Sequence, residues 1–165
     1  MTYLVRTIDH ELDELLPLAA AIAIDGLKGV GKTATAQRRA RHSWFLDKPE
    51  QRRIVEADFD LSSAPEGTLL IDEWQHLPQV WDSVRRGVDR GAPPGRFLLT
   101  GSATPASSSG THSGAGRILS LRMRPMALHE RGLVSPTVSV EGLLNGTQGA
   151  ISGTSELTLT DYASA

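Results

Sequence analysis

Residues 26–33 read G-L-K-G-V-G-K-T, and the interpretation of the whole sequence starts from this stretch. It fits the pattern G-x-x-x-x-G-K-[ST], in which a glycine-rich turn lets backbone N–H groups point inward around a phosphate group. A helix that follows such a turn adds the positive end of its dipole. The lysine of the pattern reaches the β- and γ-phosphates, and the hydroxyl residue ligates Mg²⁺. The sequence therefore predicts a phosphate loop formed by Gly26, Leu27, Lys28, Gly29, Val30, Gly31, Lys32 and Thr33, with Lys32 at the phosphates and Thr33 at the metal.

The segments on either side of this loop have the composition that the pattern requires. Residues 21–24 read A-I-A-I and precede Asp25, which favours a short buried strand running into the loop. Residues 32–41 contain no glycine or proline and are rich in alanine, arginine and glutamine, which favours a helix. The alternative interpretation is a glycine-rich turn between two core elements, without a ligand.

A second apolar run ends in two carboxylates, Asp72 and Glu73, after the sequence L-L-I. In a phosphate-loop protein the first carboxylate holds Mg²⁺ opposite the hydroxyl of the loop, so we predict this role for Asp72, facing Thr33. Glu73 is then placed to orient and polarise an attacking water molecule, which favours hydrolysis. The alternative is an acidic pair that ends a strand and caps the next helix.

Three further residues are candidates for the same chemistry. Thr100 and Ser102 come at the end of the apolar run F-L-L-T-G, and ligands of a doubly wound sheet lie beyond the carboxyl ends of its strands. Ordinary turn chemistry of serine and threonine explains them equally well. Arg117 is a candidate arginine finger in a neighbouring subunit, which would require a homo-oligomer or a protein partner. A solvated basic residue beside a strand is its alternative.

The composition excludes several classes of protein. The chain has 165 residues and a formal net charge of −2, so overall charge gives no support for nucleic acid as a partner. It contains no cysteine, which excludes disulfides and thiolate metal sites. No apolar run approaches the roughly 20 residues of a membrane span, and the N-terminus lacks the apolar core of a secretory signal. We therefore expect a cytoplasmic protein that does not engage a membrane.

Strand patterns alternate with helix patterns along the chain. The strands are expected near residues 21–24, 43–46, 69–73, 97–101 and 117–121, with helices at 9–16, 32–41, 50–57 and 79–89 between or before them. This alternation predicts a three-layer α/β/α P-loop NTPase fold, with a mostly parallel sheet of about five strands. We expect residues 1–145 to form the ATPase core and residues 146–165 to be a linker or the start of a further domain.

Six motifs together resemble one protein family. They are Y-L-V-R at 3–6, A-I-A-I-D-G-L-K-G-V-G-K-T at 21–33, T-L-L-I-D-E-W-Q at 68–75, R-F-L-L-T-G-S-A-T at 96–104, S-G-A-G-R-I at 113–118 and L-R-M-R-P-M-A-L-H-E-R-G at 121–132. In this order they resemble the prokaryotic AAA-like ATPases that carry a C-terminal domain of unknown function. Loops of that family often read G-P-R-x-x-G-K-T, whereas Leu27 and Lys28 fill the second and third positions here. Such relatives continue well beyond the last motif, so we expect this chain to be a truncated ATPase core.

The resemblance implies ATP and Mg²⁺ as cofactors and hydrolysis of ATP, with Lys32, Thr33, Asp72 and Glu73 in the roles given above. It also implies that Thr100 or Ser102 is a sensor and that Arg117 is the candidate finger. Two alternatives stay open. One is a nucleotide-binding fragment without turnover. The other is a DNA-dependent, helicase-like ATPase, because D-E-W-Q at 72–75 and S-A-T at 102–104 echo helicase motifs.

Overall fold

Five strands form the centre of the protein: β1 (Ala21–Asp25), β2 (His42–Phe45), β3 (Leu69–Asp72), β4 (Phe97–Gly101) and β5 (Leu119–Arg122). They pair in parallel in the order β2-β3-β4-β1-β5. The computed structural model describes residues 3–102, 114–132, 137–150, 158 and 160. The chain divides into one unit of residues 8–125, which contains the sheet, and a second unit of residues 1–7 and 126–165.

Helices lie between successive strands from β1 to β4, and also before β1 and after β5. In the described part of the chain they are α1 (Thr7–Leu15), α2 (Lys32–Gln37), α3 (Pro49–Ala57), a 3₁₀ turn (Trp74–His76), α4 (Gln79–Asp89) and α5 (Val140–Leu144). None of the described helices is long and apolar enough to span a membrane.

The three central strands, β1, β3 and β4, are buried on both faces of the sheet, because their side chains alternate between two apolar clusters. Leu69, Ile71 and Leu99 pack with the tryptophans that follow β3, on one face. Leu70 and Leu98 pack on the other face with residues of α1 and α2. Strands that are covered on both sides read as continuous apolar runs, as these do in the sequence. The three-layer α/β/α fold with a five-stranded parallel sheet is thus confirmed.

The predicted strands and helices are all present, with shifts of up to four residues at their ends. Strand β4 and helix α4 have the predicted bounds. Helix α2 ends at Gln37 rather than at Arg41, because the backbone N–H groups of Arg41 and His42 turn toward the carbonyl oxygen of Thr68 to begin β2. Strand β5 begins at Leu119 rather than at residue 117, and the 3₁₀ turn and α5 were not predicted.

Helix α1 begins at Thr7, two residues before the predicted start at residue 9. Aspartate often caps a helix, yet Asp9 lies inside α1 and is 4% exposed. Its Oδ1 accepts a hydrogen bond of 2.7 Å from Nη1 of Arg39, and the same guanidinium binds Asp13 through Nε at 2.5 Å. These two ion pairs of Arg39 therefore hold α1 against the segment that follows α2.

The unit of residues 1–7 and 126–165 contains a buried carboxylate, that of Glu130. Its Oε1 accepts a hydrogen bond of 2.6 Å from the backbone N–H of Thr7, and its Oε2 accepts one of 2.7 Å from the N–H of Ala127. Nε of Arg6 lies 3.3 Å from the same Oε2. These contacts join two of the six sequence motifs, Y-L-V-R and the A-L-H-E segment. The predicted boundary at residue 145 stays a prediction.

Candidate nucleotide site

The loop of residues 26–33 follows the carboxyl end of β1 and leads into α2, as the pattern requires. Gly26, Gly29 and Gly31 have φ angles of 145°, 84° and 102°. Residues with a Cβ atom rarely adopt such angles, so glycine is favoured at all three positions. Gly26 has a second constraint, because a Cβ atom there would overlap the carbonyl oxygen of Met123. The backbone N–H of Met123 donates to Asp25 at 2.8 Å, which holds the segment after β5 against the start of the loop.

Lys32 is the first residue of α2, and its side chain folds back over the loop. The residue is 5% exposed, and its Nζ donates to the carbonyl oxygens of Gly26 at 2.9 Å and Leu27 at 2.8 Å. An ammonium group has three protons to donate, so one remains for a phosphate oxygen. The side chain is therefore already ordered at the place where the pattern requires a positive charge.

Two hydroxyl groups converge on one oxygen of Asp72. Thr33 Oγ1 donates to Asp72 Oδ1 at 2.7 Å, and Thr100 Oγ1 donates to the same atom. The second contact follows from strand register, since Asp72 at the end of β3 pairs with Thr100 in β4. Residues from the loop, β3 and β4 thus meet at the carboxyl edge of the sheet, as the sequence predicted for Thr33 and Asp72.

The carboxyl group of Asp72 is buried. The residue is 5% exposed, and it forms no ion pair with the lysines, arginines and histidines in the described part of the chain. Burial raises the pKa of Asp72 above its ordinary value, although the hydrogen bonds from Thr100 and Thr33 act in the opposite direction. The charges of Glu73 and Asp47 raise this pKa further.

This set of oxygen atoms fits Mg²⁺. The ion takes oxygen ligands and is often held by one or two carboxylates together with the phosphates of a substrate. A buried carboxylate that lies next to a threonine hydroxyl and repels further negative charge is stabilised by such a cation. Asp72 and Thr33 are the residues that would hold it.

Glu73 leaves the strand in an unusual backbone conformation. Its φ and ψ angles are 54° and 46°, in the left-handed region that non-glycine residues seldom occupy. Its Oε2 accepts a hydrogen bond from Nε2 of Gln75, and the same Nε2 lies 3.3 Å from Oγ of Ser102. The carboxylate of Glu73 is thus connected to the end of β4 through Gln75.

Comparison with known families agrees with this geometry. A family model described as an AAA domain matches residues 19–131, which is more than half of the chain. The chain belongs to this family. No curated protein matches the sequence. Membership confirms the resemblance to AAA-like P-loop ATPases and indicates a nucleotide-binding protein of the ATPase type.

One predicted residue of this AAA domain, Arg117, lies away from the loop. It precedes β5, whose direction is parallel to that of β1, so it lies at the amino edge of the sheet while the loop lies at the carboxyl edge. Its guanidinium pairs with Asp89 at the end of α4, and both side chains are about two fifths exposed (43% and 39%). A contact of Arg117 with nucleotide would therefore involve a second chain.

Two residues near the site, Gln75 and Gly101, have roles that the sequence did not predict. Both residues lie within sequence motifs, Gln75 in T-L-L-I-D-E-W-Q and Gly101 in R-F-L-L-T-G-S-A-T, but neither motif indicates a role for them. The structure brings these residues together, since a Cβ atom on Gly101 would lie 2.6 Å from Oε1 of Gln75. The contact arises because β3 and β4 are neighbours in the sheet, which brings together the segments that follow them. It could be predicted only if the order of the strands were known.

Proposed function

We propose that this AAA domain binds ATP together with Mg²⁺ and hydrolyses it. The observation that carries the proposal is the buried carboxylate of Asp72, which accepts hydrogen bonds from Thr33 and Thr100 at the edge of the phosphate loop. A structural acidic residue at a strand end would be expected to face solvent or a basic side chain.

The loop residues bind and orient the triphosphate. Gly29 and Gly31, with their positive φ angles, allow backbone N–H groups to face the phosphates. Lys32 adds a fixed positive charge, since its stem and two of its protons are already held by the loop. Mg²⁺, when bound by Thr33 and Asp72, would neutralise charge on the β- and γ-phosphates.

Glu73 is proposed to act on the attacking water molecule. Its carboxylate accepts a hydrogen bond from the water and directs its oxygen toward the γ-phosphorus atom. The new bond from water oxygen to phosphorus forms as the bond to the β-γ bridging oxygen breaks, which yields ADP and inorganic phosphate. The proton from water passes to the carboxylate or to the released phosphate. Thr100 is proposed to hold Asp72, and Ser102 to contact the γ-phosphate as a sensor.

The proposal is tested by measuring ATP binding by calorimetry and phosphate release with and without Mg²⁺. Lys32→Ala should abolish binding. Glu73→Gln should keep the dissociation constant for ATP within about twofold while turnover falls at least about 100-fold, the range that general-base catalysis contributes. Lys48→Ala and Glu56→Gln are matched controls, because both side chains are exposed and lie on α3 or at its start.

Three results would contradict parts of the proposal. Unchanged turnover in Glu73→Gln would remove the role assigned to that residue. Binding without any phosphate release in the unaltered protein would favour the alternative of a nucleotide-binding module. A large stimulation of turnover by single- or double-stranded DNA would favour the helicase-like alternative.

A further inference from the structure

The side chain of Gln75 joins the two polar groups that follow β3 and β4. One amide nitrogen, Nε2, donates to Oε2 of Glu73 and also lies 3.3 Å from Oγ of Ser102. Gln75 belongs to the 3₁₀ turn that begins directly after Glu73, so its backbone is fixed close to the carboxylate. A short, ordered connection therefore exists between Glu73 and the end of β4.

The orientation of this amide is determined by Glu73. A carboxylate accepts hydrogen bonds and does not donate them, so the amide nitrogen and not the amide oxygen must face it. Oε1 of Gln75 is buried and has no hydrogen-bond partner in the described part of the chain. A buried, unpaired carbonyl oxygen is unfavourable. The contacts of the amide nitrogen with Glu73 and Ser102 must therefore hold the side chain in this position.

Gly101 leaves the room that this arrangement needs. A Cβ atom at that position would lie 2.6 Å from Oε1 of Gln75 and 2.6 Å from Nε1 of Trp74. The φ angle of Gly101 lies outside the positive range, so its backbone could accept a larger residue. Packing against Gln75 and Trp74 is what favours glycine here.

We propose that Gln75 is a positioning residue for hydrolysis. It fixes the carboxylate of Glu73 toward the attacking water and connects it to Ser102, so that contact of Ser102 with the γ-phosphate orders the carboxylate. The inference rests on the proposed function, because it assumes that Glu73 acts on water. A carboxylate that swings away from its productive orientation loses much of its effect, since about 1 Å of misplacement can cost 100-fold in rate.

The kinetic test uses Gln75→Met, which keeps the length of the side chain and removes the donor. We expect kcat to fall about 10- to 100-fold while the dissociation constant for ATP changes less than about twofold, because the lost contact orients and does not bind. Gly101→Ala displaces the amide without removing it and should lower kcat in the same way. Gln79→Met is the matched control, because Gln79 is exposed at the first position of α4.

A double-variant cycle with Ser102→Ala tests the connection. If Gln75 and Ser102 act as one unit, the double variant should be about as slow as Gln75→Met alone, and the two effects should not multiply. Multiplicative effects would overturn the connection to Ser102. Unchanged kcat in Gln75→Met, or equal losses in ATP affinity and kcat, would overturn the positioning role.

A measurement without turnover separates this inference from the proposed function. The side-chain amide signals of Gln75 can be assigned by NMR in the nucleotide-free protein, using Gln75→Met to identify them. They should shift in Glu73→Ala and in Ser102→Ala and stay in place in the control Glu56→Gln. Absence of ATP turnover together with these shifts would reject hydrolysis and leave the network standing, whereas unshifted signals would reject the network whether or not ATP is hydrolysed.

Discussion

Gly26 and Gly29 belong to the same loop, yet replacing each by alanine should have different effects on stability. Both have positive φ angles, 145° and 84°, so both variants strain the backbone. A Cβ atom on Gly29 would have no heavy atom within 4 Å, whereas one on Gly26 would overlap the carbonyl oxygen of Met123 and lie 3.2 Å from its carbonyl carbon. Both variants therefore carry backbone strain, and only Gly26→Ala adds a steric overlap.

The magnitudes follow from these two terms. Strain alone should cost Gly29→Ala about 1–2 kcal/mol, the usual cost of a left-handed conformation for an L-residue. Gly26→Ala has at least as much strain, because a φ of 145° lies further from any conformation that an L-residue favours. It has, in addition, an overlap of the kind that costs about 1–3 kcal/mol in packed interiors. Met123 cannot easily move away, because its own N–H bonds to Asp25 at 2.8 Å. We expect Gly26→Ala to lower the free energy of unfolding by about 1–3 kcal/mol more than Gly29→Ala does.

The assay is urea unfolding of the nucleotide-free variants at pH 7, followed by circular dichroism and tryptophan fluorescence. Because no nucleotide is present, the result does not depend on the proposed function. A Gly26→Ala protein that fails to fold beside a folded Gly29→Ala protein would agree with the reasoning. Equal loss of stability in the two variants would refute it, since the overlap with Met123 would then carry no cost.

Two further predictions concern charged side chains. The pKa of Glu130 is lowered to about 2, because the N–H groups of Thr7 and Ala127 outweigh the opposing effect of burial. Its contribution is therefore present above the ordinary value of 4.5 and lost as pH falls toward 2, so Glu130→Gln should cost at most about 3 kcal/mol at pH 7 and little at pH 2 in urea unfolding. A pH-independent cost would contradict this assignment. If Arg117 acts as a finger in a second chain, Arg117→Ala should bind ATP normally and lose about 10³-fold in turnover, whereas Asp89→Ala, which removes only its partner, should not. Equal turnover of Arg117→Ala and unaltered protein, at a concentration where the protein is assembled, would exclude the finger.

Features that depend on neighbouring residues in the chain could be predicted from the sequence. The loop of residues 26–33 carries its own pattern, and the apolar run of β4 has clear ends at both sides. The pairing of Thr33 with Asp72 was also predictable, because the two motifs have a fixed relation in phosphate-loop proteins. The alternation of strands and helices was sufficient to predict the three-layer fold.

Features that depend on distant partners could not be predicted in this way. Asp9 is buried at the start of α1 and ion-paired with Arg39 from beyond α2, and no pattern near residue 9 indicates that partner. The start of β5 was placed too early because the N–H groups of Arg117 and Ile118 both turn back to the carbonyl oxygen of Gly114. The contact of Gln75 with Ser102 depends on β3 and β4 being neighbours in the sheet, and no local pattern indicates that order.

The left-handed backbone of Glu73 has a consequence for how related sequences should diverge. Glycine and asparagine occupy this conformation at lower cost than glutamate, so selection for stability alone would replace Glu73 by one of them. If the carboxylate acts on water as proposed, glutamate should be kept at this position in related sequences that hydrolyse nucleotide. In a lineage without that activity, glycine or asparagine should replace it early, because nothing would then offset the strain of the backbone.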